Sequence, residues 1–305
     1  VTVIITILVF MGENLTDKPI ENLVKLLLIN LSLGIFSQLS SNYMWLGLVL
    51  NFAVLSAIGY WFSSKMNKVM VVPFGLQYLF MLYSPVTGSD FTKRLLGLAA
   101  GAVLVMAVQL WIHRKDNSSQ HDVSASVDEA ITDEELYRHY TIFGKSFSIH
   151  KIRGAYAVRI GLLTALTAFI TAFFDLQQGR WIVYTIFSLT ELYSENCSTR
   201  AKQRLEGTVI GALIILCLFI FIKDNNIRAL IVLAGGYLDS YTTNYRDKMI
   251  CVTMSVVASV SLINGTVFTA VNRIVYVLIG ILLALLVDKL IFTKKLNDFD
   301  TQKAI

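Results

Sequence analysis

Charge is scarce in this chain: Lys, Arg, Asp and Glu together make up 15% of its 305 residues. A soluble domain of that length needs about a quarter of its residues charged to solvate its surface. The few charges are bunched, and the stretches between the bunches are continuous apolar runs rather than alternating ones. That pattern excludes an ordinary soluble globule and a β-barrel. Cysteine is as sparse: Cys197, Cys217 and Cys251 form no CxxC pair, so no disulfide or zinc framework is expected. The four histidines (His113, His121, His139 and His150) match no metal-ligand spacing and read as solvated side chains. No P-loop, dinucleotide fingerprint or nucleophile elbow is present, so neither a cofactor nor enzymatic chemistry is expected. The net charge of +5 is read as a bias of membrane-flanking loops, with no nucleic-acid partner.

What is abundant is apolar sequence, 55% of the chain. Runs of about 17 to 22 residues match the length of helix that crosses ~30 Å of hydrocarbon. Eleven candidate spans follow, at 1–12, 22–38, 45–62, 69–84, 93–112, 156–174, 181–194, 205–222, 228–244, 249–263 and 272–292. The expected fold is all-α, a polytopic helical bundle with the lipid bilayer as its surroundings. One connection is long and polar, 113–155, and within it Thr132 to Glu135 reads as a capping box opening a short helix. The chain therefore divides into a first membrane region (1–112), a linker (113–155), a second membrane region (156–292) and a tail (293–305).

Orientation follows from the basic residues. With the linker inside and the spans alternating, Lys93, Arg94, Arg180, Lys223, Arg228 and Arg273 fall outside, and Lys25, Arg159 and Lys289 fall within spans. The remaining seventeen of the 26 Lys and Arg lie inside. The linker and C-terminus are expected to be cytoplasmic, in the inner (plasma) membrane.

The two halves echo each other. Arg94 is followed after seven residues by Gly101, and Gly101 after eight by Gln109; Arg273 is followed at the same intervals by Gly280 and Asp288. Asn67-Lys68 and Asp247-Lys248 precede the two arginines at nearly equal distances, and Glu13-Asn14 and Glu195-Asn196 precede the spans at 22 and 205. On that alignment 1–112 matches about 183–291, and the first half lacks a counterpart of 156–174. The expectation is a fragment of a protein with twelve spans, in two parallel six-span repeats, whose first span precedes Val1.

Three strings carry a family resemblance. They are Arg159-Ile-Gly-Leu-Leu-Thr-Ala-Leu, Gly179-Arg180-Trp181, and Thr199-Arg200-Ala-Lys-Gln-Arg204-Leu-Glu-Gly207-Thr208-Val-Ile-Gly211. Arg273-Ile-Val-Tyr-Val-Leu-Ile-Gly280 fits as well. Together they resemble the fusaric acid resistance / aromatic acid exporter family of integral membrane transporters, well over 153–292 and faintly over 1–112. The first half departs from the pattern: Glu21-Asn22-Leu-Val-Lys25 has no Gly-Thr. The resemblance implies proton-driven export of small organic anions, often aromatic carboxylates.

The residues themselves leave two readings open at most positions. Arg200 and Arg204 suit a carboxylate held beside a helix N-terminus, or equally the anchoring of a span at the cytoplasmic face. Arg94 and Arg273, at matching outer span ends, suit an anion exit path or snorkelling to the interface. Arg159 opens its span. Trp181, like Trp45 and Trp111, reads as an interfacial belt residue with substrate stacking as the alternative. Glu191 and Asp239 fall within the inner half of their spans, where a carboxylate is costly and serves proton coupling or an ion pair. Gly207, Gly211, Gly280 and Gly101 read as small residues at helix contacts. A passive anion channel and a non-transporting scaffold acting through its linker are the alternatives to a transporter, and self-association into a homo-oligomer stays open.

Overall fold

The computed structural model describes residues 18–63, 71–113, 137–142, 145–176, 178–190, 195–239, 241–261 and 265–302. These residues form ten helices: α1 (Pro19–Asn42), α2 (Met44–Trp61), α3 (Val71–Leu82), α4 (Ser89–His113), α5 (Lys151–Phe173), α6 (Arg180–Leu189), α7 (Glu195–Phe221), α8 (Asn225–Asp239), α9 (Tyr245–Ser261) and α10 (Thr266–Gln302). The expected helical bundle is what is found. Linker residues add a short antiparallel hairpin, β1 (Tyr137–Ile142) with β2 (Lys145–His150), paired from Tyr137↔His150 to Ile142↔Lys145. The linker is therefore not wholly irregular, and α5 starts at Lys151, five residues before the expected span. The capping box at Thr132 lies outside the described residues, as does the span expected at 1–12.

Among the described residues, six helices are long and apolar enough to cross a membrane: Pro19–Asn42, Met44–Trp61, Ser89–Trp111, Lys151–Phe173, Cys197–Phe221 and Thr266–Lys289. Large apolar side chains such as Val49, Leu104, Leu213, Ile220 and Leu282 stand exposed along them, as lipid contact requires. The chain is a multi-pass membrane protein. Three expected spans are shorter among the described residues: α3 has 12 residues, α6 has 10 and α8 has 15. Hydropathy windows blur a short buried helix and its apolar flanks into one span.

Two compact units divide at Phe169 and Ile170, inside α5. In the first unit, α1 packs on α2, α3 and α4. Pro19 opens α1, at a position where a missing N–H costs nothing. Its buried face is polar as well as apolar. Gln77 donates to Asn30 Oδ1 at 2.9 Å, and Tyr78 donates to Asn51 Oδ1 at 2.6 Å, with Ser40 Oγ 2.9 Å from the same hydroxyl. Amides and hydroxyls on α1, α2 and α3 thus satisfy each other.

The second unit packs α9 on α7 and α8, and α10 on α6, α7 and α9. Ala212, Ile215, Phe219, Val257, Ala258 and Ala270 form its apolar core. Small residues set the spacing. A Cβ at Gly207 would lie 2.7 Å from the Arg246 carbonyl oxygen, and one at Gly211 2.7 Å from that of Ile250, so α7 and α9 touch backbone to backbone. A Cβ at Gly280 would lie 2.8 Å from Thr185 Cβ, which brings α10 as close to α6. Gly101 is buried in α4.

Candidate functional site around a short buried helix

Helix α6 is unusual for a membrane helix. Ten residues rise about 15 Å, half of the hydrocarbon core. Trp181 to Phe187 and Leu189 are all buried. Its sequence, Trp-Ile-Val-Tyr-Thr-Ile-Phe, is rich in β-branched and aromatic residues that disfavour an isolated helix, so burial among neighbouring helices holds it. Its hydroxyls are satisfied from within: Thr185 donates to the Trp181 carbonyl at 2.7 Å and Thr190 to that of Ile186 at 2.8 Å. Thr190 is extended and ends the helix.

Arginines stand at both ends of α6. At its C-terminal end, Arg204 reaches across from α7 and is 7% exposed. Its Nη1 donates to Ser188 Oγ at 2.6 Å, to Tyr245 OH at 3.0 Å and toward Met249 Sδ at 3.4 Å. Arg204 lies one turn before Gly207, so the glycine contact that draws α7 onto α9 also delivers the guanidinium to Tyr245 and Met249. Arg200 lies over the Tyr245 ring, 5.2 Å from its centroid.

At the N-terminal end, Arg273 of α10 is 3% exposed. Its guanidinium carbon is 4.0 Å from the centroid of the Trp181 indole, and that of Arg180 is 5.2 Å from the same ring. Trp181 donates its Nε1–H to Gln178 Oε1 at 2.8 Å. Arg204 and Arg180 both act on Arg273 as like charges. The Nε of Arg204 and the Nε and Nη1 of Arg273 are buried without a hydrogen-bond partner among the described residues. No carboxylate pairs with Arg180, Arg204 or Arg273 among the described residues. Burying a charge in this way is strongly unfavourable unless something else balances it.

Of the residues expected from sequence, Arg200, Arg204, Arg273 and Trp181 all lie in this second unit around α6. Trp181 is not a belt residue, because it is packed inside helices, whereas Trp45 and Trp111 are exposed near helix ends. Arg94 and Arg159 belong to the first unit. Arg94 donates to the carbonyls of Met81 and Ser84, at the C-terminal end of α3, and so caps a helix. Arg159 is half-buried in α5. Asp239 ends α8 with its carboxylate 4.0 Å from Lys248 Nζ, and Glu191 lies outside the described residues. Sequence reasoning missed Ser188, Tyr245, Met249 and Gln178. Ser188 has a legible signal, standing two helical turns after Trp181; Tyr245 has none, since it reaches Arg204 only through the packing of α9.

Residues 164–287 match the family model described as fusaric acid resistance protein-like. The matched segment holds all of α6, α7, α8 and α9, both buried arginines and the glycines that position them. The match begins inside α5, ends inside α10 and covers most of the second unit. Comparison with curated proteins and with solved structures gives no match.

Proposed function

We propose that this protein exports small organic anions, aromatic carboxylates above all, from the cytoplasm, and that it is a transporter and not an enzyme. The observation that carries the reading is the pair of buried arginines, Arg204 and Arg273, for which the described residues supply no counter-ion. A guanidinium offers a carboxylate two parallel N–H groups, and the unpartnered Nε and Nη1 atoms are donors of that kind. Tyr184, Trp181 and Tyr245 add aromatic surface to the same site. Short helices at midplane sites are a recurrent device of secondary transporters, and α6 has that form. In this reading Arg200, Arg204 and Arg273 hold the substrate with Trp181. Glu191 and Asp239 couple the movement to protons, Asp239 by giving up Lys248 when it is protonated. The linker and C-terminus face the cytoplasm, and the two membrane regions descend from one six-span unit.

The test is flux. Purified protein in liposomes with an imposed pH gradient should accumulate or release labelled benzoate and its hydroxylated relatives, and Arg204→Gln should not. Absence of movement for every organic anion tried, with correct insertion verified, would leave a scaffold acting through the linker. Flux that survives Glu191→Gln with Asp239→Asn would mark a passive channel.

A further inference from the structure

The hairpin that precedes α5 has two unlike faces. Its register sets Arg138, Tyr140 and Ile142 opposite Ile149, Phe147 and Lys145, so these residues share one face, apolar with a basic residue on each strand. The other face pairs Tyr137 with His150, His139 with Ser148 and Thr141 with Ser146, and is polar throughout. A two-stranded hairpin is marginal in water unless its apolar face lies against something. Among the described residues no helix packs along either strand. The bilayer is within reach. β2 ends at His150, and α5, long and apolar enough to cross a membrane, begins at the next residue. The root of the hairpin therefore lies where the chain enters the membrane. Arg153 ties that root to the end of α2, donating to the Tyr60 carbonyl at 2.5 Å and to Ser63 Oγ at 3.4 Å. Trp61, the last residue of α2, is exposed there, as aromatic side chains at a membrane–water interface are. Charge points the same way. No Asp or Glu occurs between Glu135 and Asp175, whereas Arg138, Lys145 and Lys151 fall within that stretch, and Lys151 is exposed.

We propose that this hairpin is a membrane-surface anchor, lying on the bilayer by its Tyr140–Phe147 face and binding anionic lipid headgroups. The contact is independent of what the arginines around α6 bind. The cross-strand pair Tyr140 and Phe147 supplies aromatic surface suited to headgroup depth. Arg138 lies toward the root of that face and Lys145 at the turn end, so phosphate contacts at both ends would hold the ribbon flat. Long basic side chains let the charge stay with the headgroups while their apolar stems lie lower. Depth has a limit. Both edges of a two-stranded ribbon carry N–H and C=O groups that the ladder leaves unpaired, and these need water or headgroups. The hairpin therefore rests at headgroup level and does not enter the hydrocarbon.

The experiment reads depth on the full chain. Cys197, Cys217 and Cys251 are replaced by alanine, and His139→Cys, Tyr140→Cys, Phe147→Cys and Ser148→Cys are made one at a time. Each carries a nitroxide label, in nanodiscs of phosphatidylglycerol or of phosphatidylcholine. Power saturation compares collisions with oxygen, which concentrates in the bilayer, and with a water-soluble nickel chelate. In phosphatidylglycerol the labels at 140 and 147 should favour oxygen, and those at 139 and 148 nickel. Arg138→Gln with Lys145→Gln should lower the ratio of docked to lifted hairpin roughly tenfold or more, the scale of two basic residues near an anionic surface. Phosphatidylcholine should do the same to the native pair. Should the double variant disturb the hairpin itself, the lipid comparison still decides. Nickel access at every labelled position in phosphatidylglycerol would overturn the proposal, because the hairpin would then stand in water. Shielding of 140 and 147 from both reagents would also overturn it, since protein would then cover that face. Equal docking in the two lipids would overturn the headgroup contact.

Discussion

The two units bury polar groups in opposite ways. In the first, Asn30, Gln77, Asn51, Tyr78 and Ser40 are neutral and find each other across three helices. Two of its arginines settle on backbone oxygens: Arg94 on the end of α3, and Arg153 on the Tyr60 carbonyl near the end of α2, at 2.5 Å. In the second unit Arg228 does likewise, bonding the Ile222 and Phe219 carbonyls at the end of α7 at 2.7 and 3.2 Å. Arg204 and Arg273 do not. A helix C-terminus supplies orphan carbonyls and the negative end of a dipole, so an arginine there is compensated by the fold. An arginine against an indole and two hydroxyls is not. That neutral network of the first unit is thus answered from within it, whereas Arg204 and Arg273 keep donors without partners among the described residues.

The largest effect expected from this contrast is functional. Arg273→Met should lower anion flux by about 30-fold or more, the scale on which losing a buried charge partner weakens binding. It should leave the melting temperature unchanged or raise it, because an apolar side chain of similar length removes an uncompensated charge. Thermal unfolding in detergent, run beside the flux assay, separates the two. A variant that loses stability in step with flux would mean that Arg273 has a partner in the folded protein, and the contrast between the units would collapse.

Next come the glycines. Gly211→Leu places four carbons where a Cβ alone meets the Ile250 carbonyl oxygen at 2.7 Å. Overpacking of that kind costs about 1–3 kcal/mol, and by pushing α7 off α9 it should also move Arg204 from Tyr245. Gly97→Leu, with nothing within 4 Å of its Cβ position, is the control and should be neutral. Both are read as melting temperature and flux together.

A smaller effect is expected in the first unit. Tyr78→Phe removes the hydroxyl that joins Asn51 and Ser40. Side-chain hydrogen bonds between membrane helices contribute about 0.6 kcal/mol on average and up to about 1.7. The variant should melt slightly earlier and transport within about twofold of wild type, by that same scale. A transport defect matching that of Arg273→Met would place the neutral network in the permeation route and end the division of labour.

Much of this was legible in the sequence. Apolar runs located the six long helices, and the Arg200 to Gly211 string pointed to the residues that meet at α6. Length misled where burial replaced lipid: α3 and α6 are apolar because protein surrounds them, and hydropathy cannot tell the two environments apart. Trp181 misled for the same reason. The hairpin escaped because its pairing joins a polar segment that carries no apolar run. Tyr245 escaped because only the glycine contacts between α7 and α9 bring it to Arg204.

The smallest expected effect tests the internal symmetry most directly. Arg94 and Arg273 are equivalent in the proposed repeat, each followed seven residues later by a glycine, yet their surroundings differ. Arg94 is half-buried and bonds carbonyl oxygens at the end of α3, so its loss removes a helix cap. Arg94→Gln should therefore cost about 0.3–1 kcal/mol of stability and leave the affinity for anions where it was. If ancestry placed an anion site at both positions and both still serve, Arg94→Gln should instead reduce flux as Arg273→Met does. The carbonyls that hold Arg94 argue against this: a guanidinium already bonded to backbone has fewer donors to offer a ligand, and the first half also lacks the Gly-Thr string that sets Arg204 in place.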